Sequence, residues 1–77
     1  MISLGDEERL ASMGKRLRVL RKEKGMSLRT LGEKTGVDNS KIAKVENGHV
    51  NITFTMLLKL LDGLSVKLEE FFDPGKY

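Results

Sequence analysis

Apolar residues recur at intervals of three and four along nearly the whole chain, and this periodicity constrains the fold more than any other feature. The first helical segment shows it at four positions on one narrow arc of the helical wheel: Leu10, Met13, Leu17 and Leu20. No segment alternates apolar and polar residues with a period of two, and the single proline, Pro74, stands near the end. Helices therefore fit nearly every segment and strands fit none, so the sequence predicts an all-α fold.

Capping residues and glycines divide this pattern into five helices. Residues that accept hydrogen bonds from helix N-termini stand at the four predicted starts: Asp6, Ser27, Asp38 and Thr53. Glycines are expected to end the first three helices: Gly25, Gly36 and Gly48. The first helix is thus expected to run from about Asp6 to Lys24, and the run LEEFF after Val66 forms the fifth.

The fourth helix is expected to bury one apolar stripe: Phe54, Leu57, Leu60, Leu61 and Leu64. The predicted connections are only a few residues long, and a chain of 77 residues suffices for a single small core. We therefore expect a compact five-helix bundle that forms one domain over residues 1–77.

The second and third helices are joined by little more than Gly36 and Val37. So short a connection makes two helices cross steeply, which is the geometry of a helix-turn-helix, here over about residues 27–48. Gly32 supports this prediction, because glycine inside a helix costs about 1 kcal/mol relative to alanine. Its presence indicates that another backbone segment approaches closely at that point.

The third helix has a narrow apolar side and a polar side made of short residues. On a helical wheel, Ile42 and Val45 face inward, and the opposite side holds Ser40, Lys44 and Asn47. Asparagine, serine and lysine can bind base edges in the major groove of DNA. An ordinary solvated helix face is the alternative, and the tight turn before this helix favours the first interpretation.

Glu46 falls on the buried side of the third helix, where an unpaired charge would cost several kcal/mol. Arg21 falls on the inner side of the first helix. We therefore expect Arg21 and Glu46 to form a partly buried, structural ion pair that holds these two helices together.

Positive charge is concentrated in the middle of the chain. Residues 14–51 contain ten lysines and arginines against four aspartates and glutamates, whereas the whole chain has a net charge of +3. A basic region of this kind is typical of a surface that binds a polyanion such as nucleic acid. The alternative is that these side chains only solvate the helices.

The sequence contains little that would support other functions. It has no cysteine and one histidine, His49, so no metal site is expected. It has neither a phosphate-binding loop nor a nucleophile with a base, so we expect no enzyme, no cofactor and no small-molecule ligand. No apolar run approaches the roughly 20 residues of a membrane span, so a cytoplasmic, nucleoid-associated protein is expected.

The run from residue 14 to 72 resembles the Cro/C1-type, or Xre, family of bacterial and phage repressors. The resemblance rests on the order and spacing of GMSLRTLGEKTGV, KVENG and NIT before LLKLL and EEFF. It implies a lambda-repressor-like five-helix bundle whose third helix enters the major groove, and it also implies the Arg21–Glu46 pair. The family usually has glutamine, not Leu28, after the position of Ser27, and alanine where this chain has Gly32.

The resemblance also implies which residues bind DNA. The positions that match base contacts are Asn39, Ser40 and Lys44. The positions expected to meet the DNA backbone are Ser27, Arg29, Lys41, Asn47, His49 and Asn51.

The C-terminal third has more apolar side chains than one buried stripe requires, and an exposed apolar patch usually marks an interface. We expect a homodimer whose interface contains Met56, Leu58, Leu61 and Phe72. The alternative is that all four belong to the core. A symmetric dimer would read a pseudo-palindromic operator.

The expected function is that of a sequence-specific DNA-binding transcriptional regulator, such as the controller protein of a restriction–modification system. One alternative is the antitoxin and autorepressor of a toxin–antitoxin pair, which would also bind a protein toxin. Another is a protein-interaction module without DNA binding, against which the basic middle region argues.

Overall fold

Five α-helices connected by short turns make up the part of the chain that the structure, a computed structural model, describes, residues 4–72. They are α1 (Leu4–Glu23), α2 (Leu28–Thr35), α3 (Asn39–Glu46), α4 (Phe54–Leu64) and α5 (Leu68–Phe71). The described residues contain no strand, so the all-α prediction is confirmed. The ends of the predicted 1–77 domain, residues 1–3 and 73–77, lie outside the described residues.

Side-chain oxygens cap three of the helices at the predicted residues. Ser27 Oγ accepts a hydrogen bond from the Thr30 backbone at 3.0 Å, and Thr53 Oγ1 accepts one from Met56 at 3.1 Å. Asp38 Oδ1 accepts one from the Ser40 backbone nitrogen at 2.8 Å. Each bond satisfies a backbone N–H that the helix itself leaves without an acceptor, and each therefore determines where its helix begins.

The predicted start of the first helix is wrong. Helix α1 begins at Leu4, so Asp6 lies inside its first turn and does not cap it. An acidic side chain there still interacts favourably with the positive end of the helix dipole, which explains why the residue type alone suggested a start. Asp6 Oδ1 also lies 3.6 Å from Arg9 Nη1, one turn along the same helix.

Helix α4 contributes the largest share of the core through four leucines, Leu57, Leu60, Leu61 and Leu64. Two predictions about this helix are wrong. Phe54 is 60% exposed, because it is the first residue of α4 and lies at the edge of the buried stripe. Leu61 is only 1% exposed, so it packs inside the domain and cannot contribute to a dimer interface.

At two glycines within helices, the backbone of another segment lies too close for a side chain. A Cβ atom added to Gly32 would lie 2.8 Å from the Val37 carbonyl oxygen, which confirms the predicted close approach in the helix-turn-helix. A Cβ atom added to Gly14 would lie 2.6 Å from the Glu46 carbonyl oxygen. The sequence reasoning missed Gly14, although a glycine within a helical pattern is the same signal that revealed Gly32.

Candidate nucleic-acid interface

Helix α3 is held on the surface of the domain by its inner side and by the turn before it. Ile42 and Val45 are completely buried against the other helices, and Val37 in the turn is buried as well. Gly36 ends α2 with a φ of 76°, which lets the chain reverse direction within three residues. With one side fixed in the core, the opposite side of α3 must face outward.

All nine residues for which the sequence predicts contacts with DNA are exposed. The structure groups them in three places: the start of α2 (Ser27 and Arg29), the outer side and end of α3 (Asn39, Ser40, Lys41, Lys44 and Asn47), and the turn after it (His49 and Asn51). Asn51 also lines a groove between α1 and α5, so it lies at the margin of the set. Which of these side chains contact DNA stays a prediction.

The start of α3 carries a short hydrogen-bonded array. Asp38 Oδ1 accepts hydrogen bonds from the hydroxyl of Ser40 at 2.7 Å and from its backbone nitrogen at 2.8 Å. These bonds, with a smaller contribution from the charge of Lys44, hold the pKa of Asp38 below its ordinary value. Asp38 is thus an ionised group with a side-chain partner on α3, whereas the sequence predicts for it only the role of a helix cap.

Arg21 and Glu46 fix α3 against α1. Arg21 Nε lies 2.7 Å from Glu46 Oε2, and Arg21 Nη2 lies 3.0 Å from Glu46 Oε1, so the pair is bidentate. Both residues are buried, and Arg21 Nη1 also donates to the Met26 carbonyl oxygen at 2.8 Å. The Glu46 carboxylate raises the pKa of Arg21 above its ordinary value. This is the pair that the two helical wheels predict, and it connects α1, α3 and the turn before α2.

Three large apolar side chains of the C-terminal part of the chain are exposed. They are Phe54 and Leu58, one turn apart on α4, and Phe72 after α5, whose exposed fractions are 60%, 37% and 53%. Phe72 packs edge-on against the buried ring of Phe71, with 5.0 Å between ring centroids. Of the predicted interface residues, Leu58 and Phe72 are exposed.

Met56 is not among these exposed side chains. It is half-buried and packs against the core, and residues two apart on a helix point to different sides, so Met56 and Leu58 cannot share one face of α4. Phe54, one turn from Leu58, replaces Met56 in the proposed interface. The signal for Phe54 in the sequence was a fifth apolar residue in a helix that needed only four for its buried stripe.

Two structural observations concern other functions. Among residues 4–72, no three side chains of the metal-binding types come close enough together to hold an ion. None of the helices described above combines the length and the apolar character that crossing a membrane demands.

Comparison with known sequences relates this architecture to regulators. A family model described as helix-turn-helix matches residues 17–71. The regulator SlrR of Bacillus subtilis is 39% identical over 62 residues, which are 79% of this chain and 41% of that protein. The regulator PuuR of Escherichia coli is 38% identical over 64 residues, 82% of this chain and 35% of that protein. The chain thus spans less than half the length of these two regulators.

Comparison with solved structures relates the whole fold to smaller proteins. The restriction–modification controller protein C.AhdI of Aeromonas hydrophila superposes with a TM-score of 0.81 at 38% identity, covering 84% of this chain and 98% of that protein. The controller protein C.Esp1396I, crystallised as a tetramer with its natural 35-base-pair operator, superposes with a TM-score of 0.79 at 30% identity. That match covers 83% of this chain and 84% of C.Esp1396I.

Proposed function

The chain belongs to the Xre-type helix-turn-helix family, and from this premise we propose that it is a sequence-specific DNA-binding transcriptional regulator whose helix α3 reads the major groove. One observation carries the proposal: α3 is anchored by Ile42 and Val45, and its outer side presents short hydrogen-bonding side chains and lysines. The major groove is wide enough for a helix whose outer residues are short. No enzymatic step is part of this function.

The exposed side chains divide into two kinds of contact. Asn39, Ser40 and Lys44 project from α3 and suit base edges, since asparagine pairs with adenine and lysine with guanine. The backbone contacts come from the flanks of the same surface: Ser27, Arg29, Lys41, Asn47, His49 and Asn51. Contacts with the DNA backbone set the register and orientation of the protein on the duplex, and contacts with base edges supply the sequence preference.

We further propose that two copies associate through the exposed side chains of Phe54, Leu58 and Phe72. Large apolar side chains that remain exposed are typical of an interface. A two-fold dimer would place two α3 helices about one DNA turn apart, roughly 34 Å, on a pseudo-palindromic operator. C.Esp1396I was crystallised as a tetramer on its operator, which supports an oligomer on DNA here.

The most specific role that we propose is that of a restriction–modification controller protein. The match to C.AhdI supports it, because it extends over 98% of that controller protein. DNA is the proposed partner, and no observation on the described residues favours a protein toxin instead.

Fluorescence anisotropy tests DNA binding. The parent is titrated against the DNA upstream of its own reading frame and against a shuffled duplex, at several salt concentrations. We expect about a thousandfold preference for the upstream DNA, the low end for specific regulators. Equal, steeply salt-dependent binding to both duplexes would show contacts with phosphates alone and contradict the proposal.

Single substitutions on α3 test the assignment of the residues. Asn39→Ala or Lys44→Ala should weaken binding to the preferred duplex by about 1–3 kcal/mol and relax the preference at one base pair. Lys59→Ala is the matched control, because it removes the same charge from an exposed position on α4. If Lys44→Ala and Lys59→Ala bind every duplex alike, α3 does not read the groove.

Analytical ultracentrifugation tests the oligomer. Leu58→Glu should shift the protein from dimer to monomer, because it introduces a charge at an exposed apolar position of the proposed interface. Val19→Glu is the matched control, since Val19 is 41% exposed on the outer side of α1. A parent that sediments as an 8.7 kDa monomer at high micromolar concentration would rule the dimer out.

A further inference from the structure

The carboxylate of Asp38 holds the hydroxyl of a residue proposed to contact bases. Asp38 Oδ1 lies 2.7 Å from Ser40 Oγ and 2.8 Å from the Ser40 backbone nitrogen. The bond to the backbone nitrogen is an ordinary helix cap and accounts for the aspartate as a capping residue. The bond to the hydroxyl is not needed for capping, and it lies on the exposed side of α3.

The chemistry of the two groups decides which of them supplies the proton. An aspartate of ordinary pKa is already ionised at neutral pH, and the pKa of Asp38 lies lower still. An ionised carboxylate can only accept, so the hydroxyl of Ser40 must donate. A serine hydroxyl has a single proton and two lone pairs. Once that proton is donated to Asp38, Ser40 Oγ can offer another molecule only its lone pairs.

The base edges in the major groove differ in the partner they need. Adenine N6 and cytosine N4 carry amino groups that donate, whereas guanine N7 and O6 and thymine O4 only accept. A serine that can rotate its hydroxyl freely suits either kind of edge. A serine that can only accept suits an amino group and leaves a guanine or thymine edge without a donor.

We propose that Asp38 is a positioning residue that makes Ser40 an acceptor-only reader, and thereby selects adenine or cytosine at the base that Ser40 meets. The inference rests on the proposed function, since it requires α3 to lie in the major groove. It adds that a residue need not touch DNA to set the base preference of its neighbour. The geometry that carries it is the 2.7 Å bond between the two side chains.

Selection from a library of duplexes with a randomised segment, followed by sequencing, measures the base preference at every position. The parent is compared with Ser40→Ala, Asp38→Gly and Asp38→Asn. Glycine still caps a helix but offers no side-chain acceptor, whereas asparagine keeps both the cap and an oxygen acceptor. Asp38→Asn is therefore the matched control, and circular dichroism melts verify that each variant is folded.

We expect the parent to enrich adenine or cytosine at one position of each half-site, and Ser40→Ala to lose that preference by roughly two- to tenfold, the worth of one hydrogen bond. Asp38→Gly should admit guanine or thymine at that position alone, and Asp38→Asn should keep the parent's preference. A readout confined to one base position separates positioning from a general loss of helix stability.

Three results would overturn the inference alone, while the parent still enriches a defined sequence. In the first, the parent enriches guanine or thymine at the position that Ser40→Ala changes. In the second, the base preferences of Ser40→Ala equal those of the parent. In the third, the base preferences of Asp38→Gly equal those of the parent. A parent that enriches no sequence would instead refute the proposed function, and this inference with it.

Discussion

Replacing Arg21 by methionine tests the packing of α3 more directly than any other change. Methionine has a similar length and fills the same space, so the substitution removes the charge and its hydrogen bonds while leaving little cavity. Three bonds disappear: two to the Glu46 carboxylate, at 2.7 and 3.0 Å, and one to the Met26 carbonyl oxygen at 2.8 Å. The carboxylate of Glu46 is left buried without its partner.

The size of the effect follows from that burial. Side-chain exposure is 9% for Arg21 and 4% for Glu46, so solvent screens the pair weakly. Removing one partner of a buried pair costs about 3–5 kcal/mol, mostly because the remaining charge stays desolvated. A domain of this size has a free energy of unfolding of about 4–11 kcal/mol. The substitution should therefore remove about half of it and lower Tm by at least about 12 °C.

Urea denaturation of the parent and three variants measures the effect and its cause. Arg9→Met is the matched control, because the Asp6–Arg9 pair is exposed and 3.6 Å long and should contribute little. Adding Glu46→Leu to Arg21→Met should recover much of the loss, since it removes the stranded charge. Equal losses in Arg21→Met and Arg9→Met, or a double variant no more stable than Arg21→Met, would refute the reasoning.

Two further predictions concern α1 and the start of α3. Gly14→Ala should lower the free energy of unfolding by about 1–2 kcal/mol, because the added methyl group would lie 2.6 Å from the Glu46 carbonyl oxygen. Ser12→Ala, at an exposed position of α1, is its control in the same urea measurement, and equal losses in the two would refute the close approach. An NMR titration of Asp38 should give a pKa below the ordinary value, and Ser40→Ala should raise it. The pKa of Asp38 is lower in the folded than in the unfolded protein, so its ionised carboxylate stabilises the fold above the unfolded pKa, and this contribution is lost as pH falls through the folded pKa. An unchanged Asp38 pKa in Ser40→Ala would show that the hydrogen bond from the Ser40 hydroxyl does not lower it.

Much of the fold follows from local chemistry that can be read along the chain. Ser27, Asp38 and Thr53 cap helices because their side-chain oxygens reach a backbone N–H two or three residues ahead, and no distant residue is needed. Periodicity likewise places Ile42 and Val45 on the inner side of α3 and Ser40, Lys44 and Asn47 on its outer side, and all nine residues that the family resemblance assigns to DNA are exposed. Their contacts with DNA stay predictions, because exposure permits binding without establishing it.

The sequence by itself therefore determined which side of each helix is apolar, where three of the helices begin, and that Arg21 and Glu46 both point inward. The packing of the helices decided what covers each apolar side. Leu61 is buried and Phe54 exposed, although both are apolar residues of α4, because neighbouring helices cover the middle of the stripe and not its edge. The same holds for Gly14, whose role depends on the backbone of α3 lying against α1. Periodicity specifies the angle of a residue about its own helix axis, whereas burial depends on which residues distant in the chain pack against that angle.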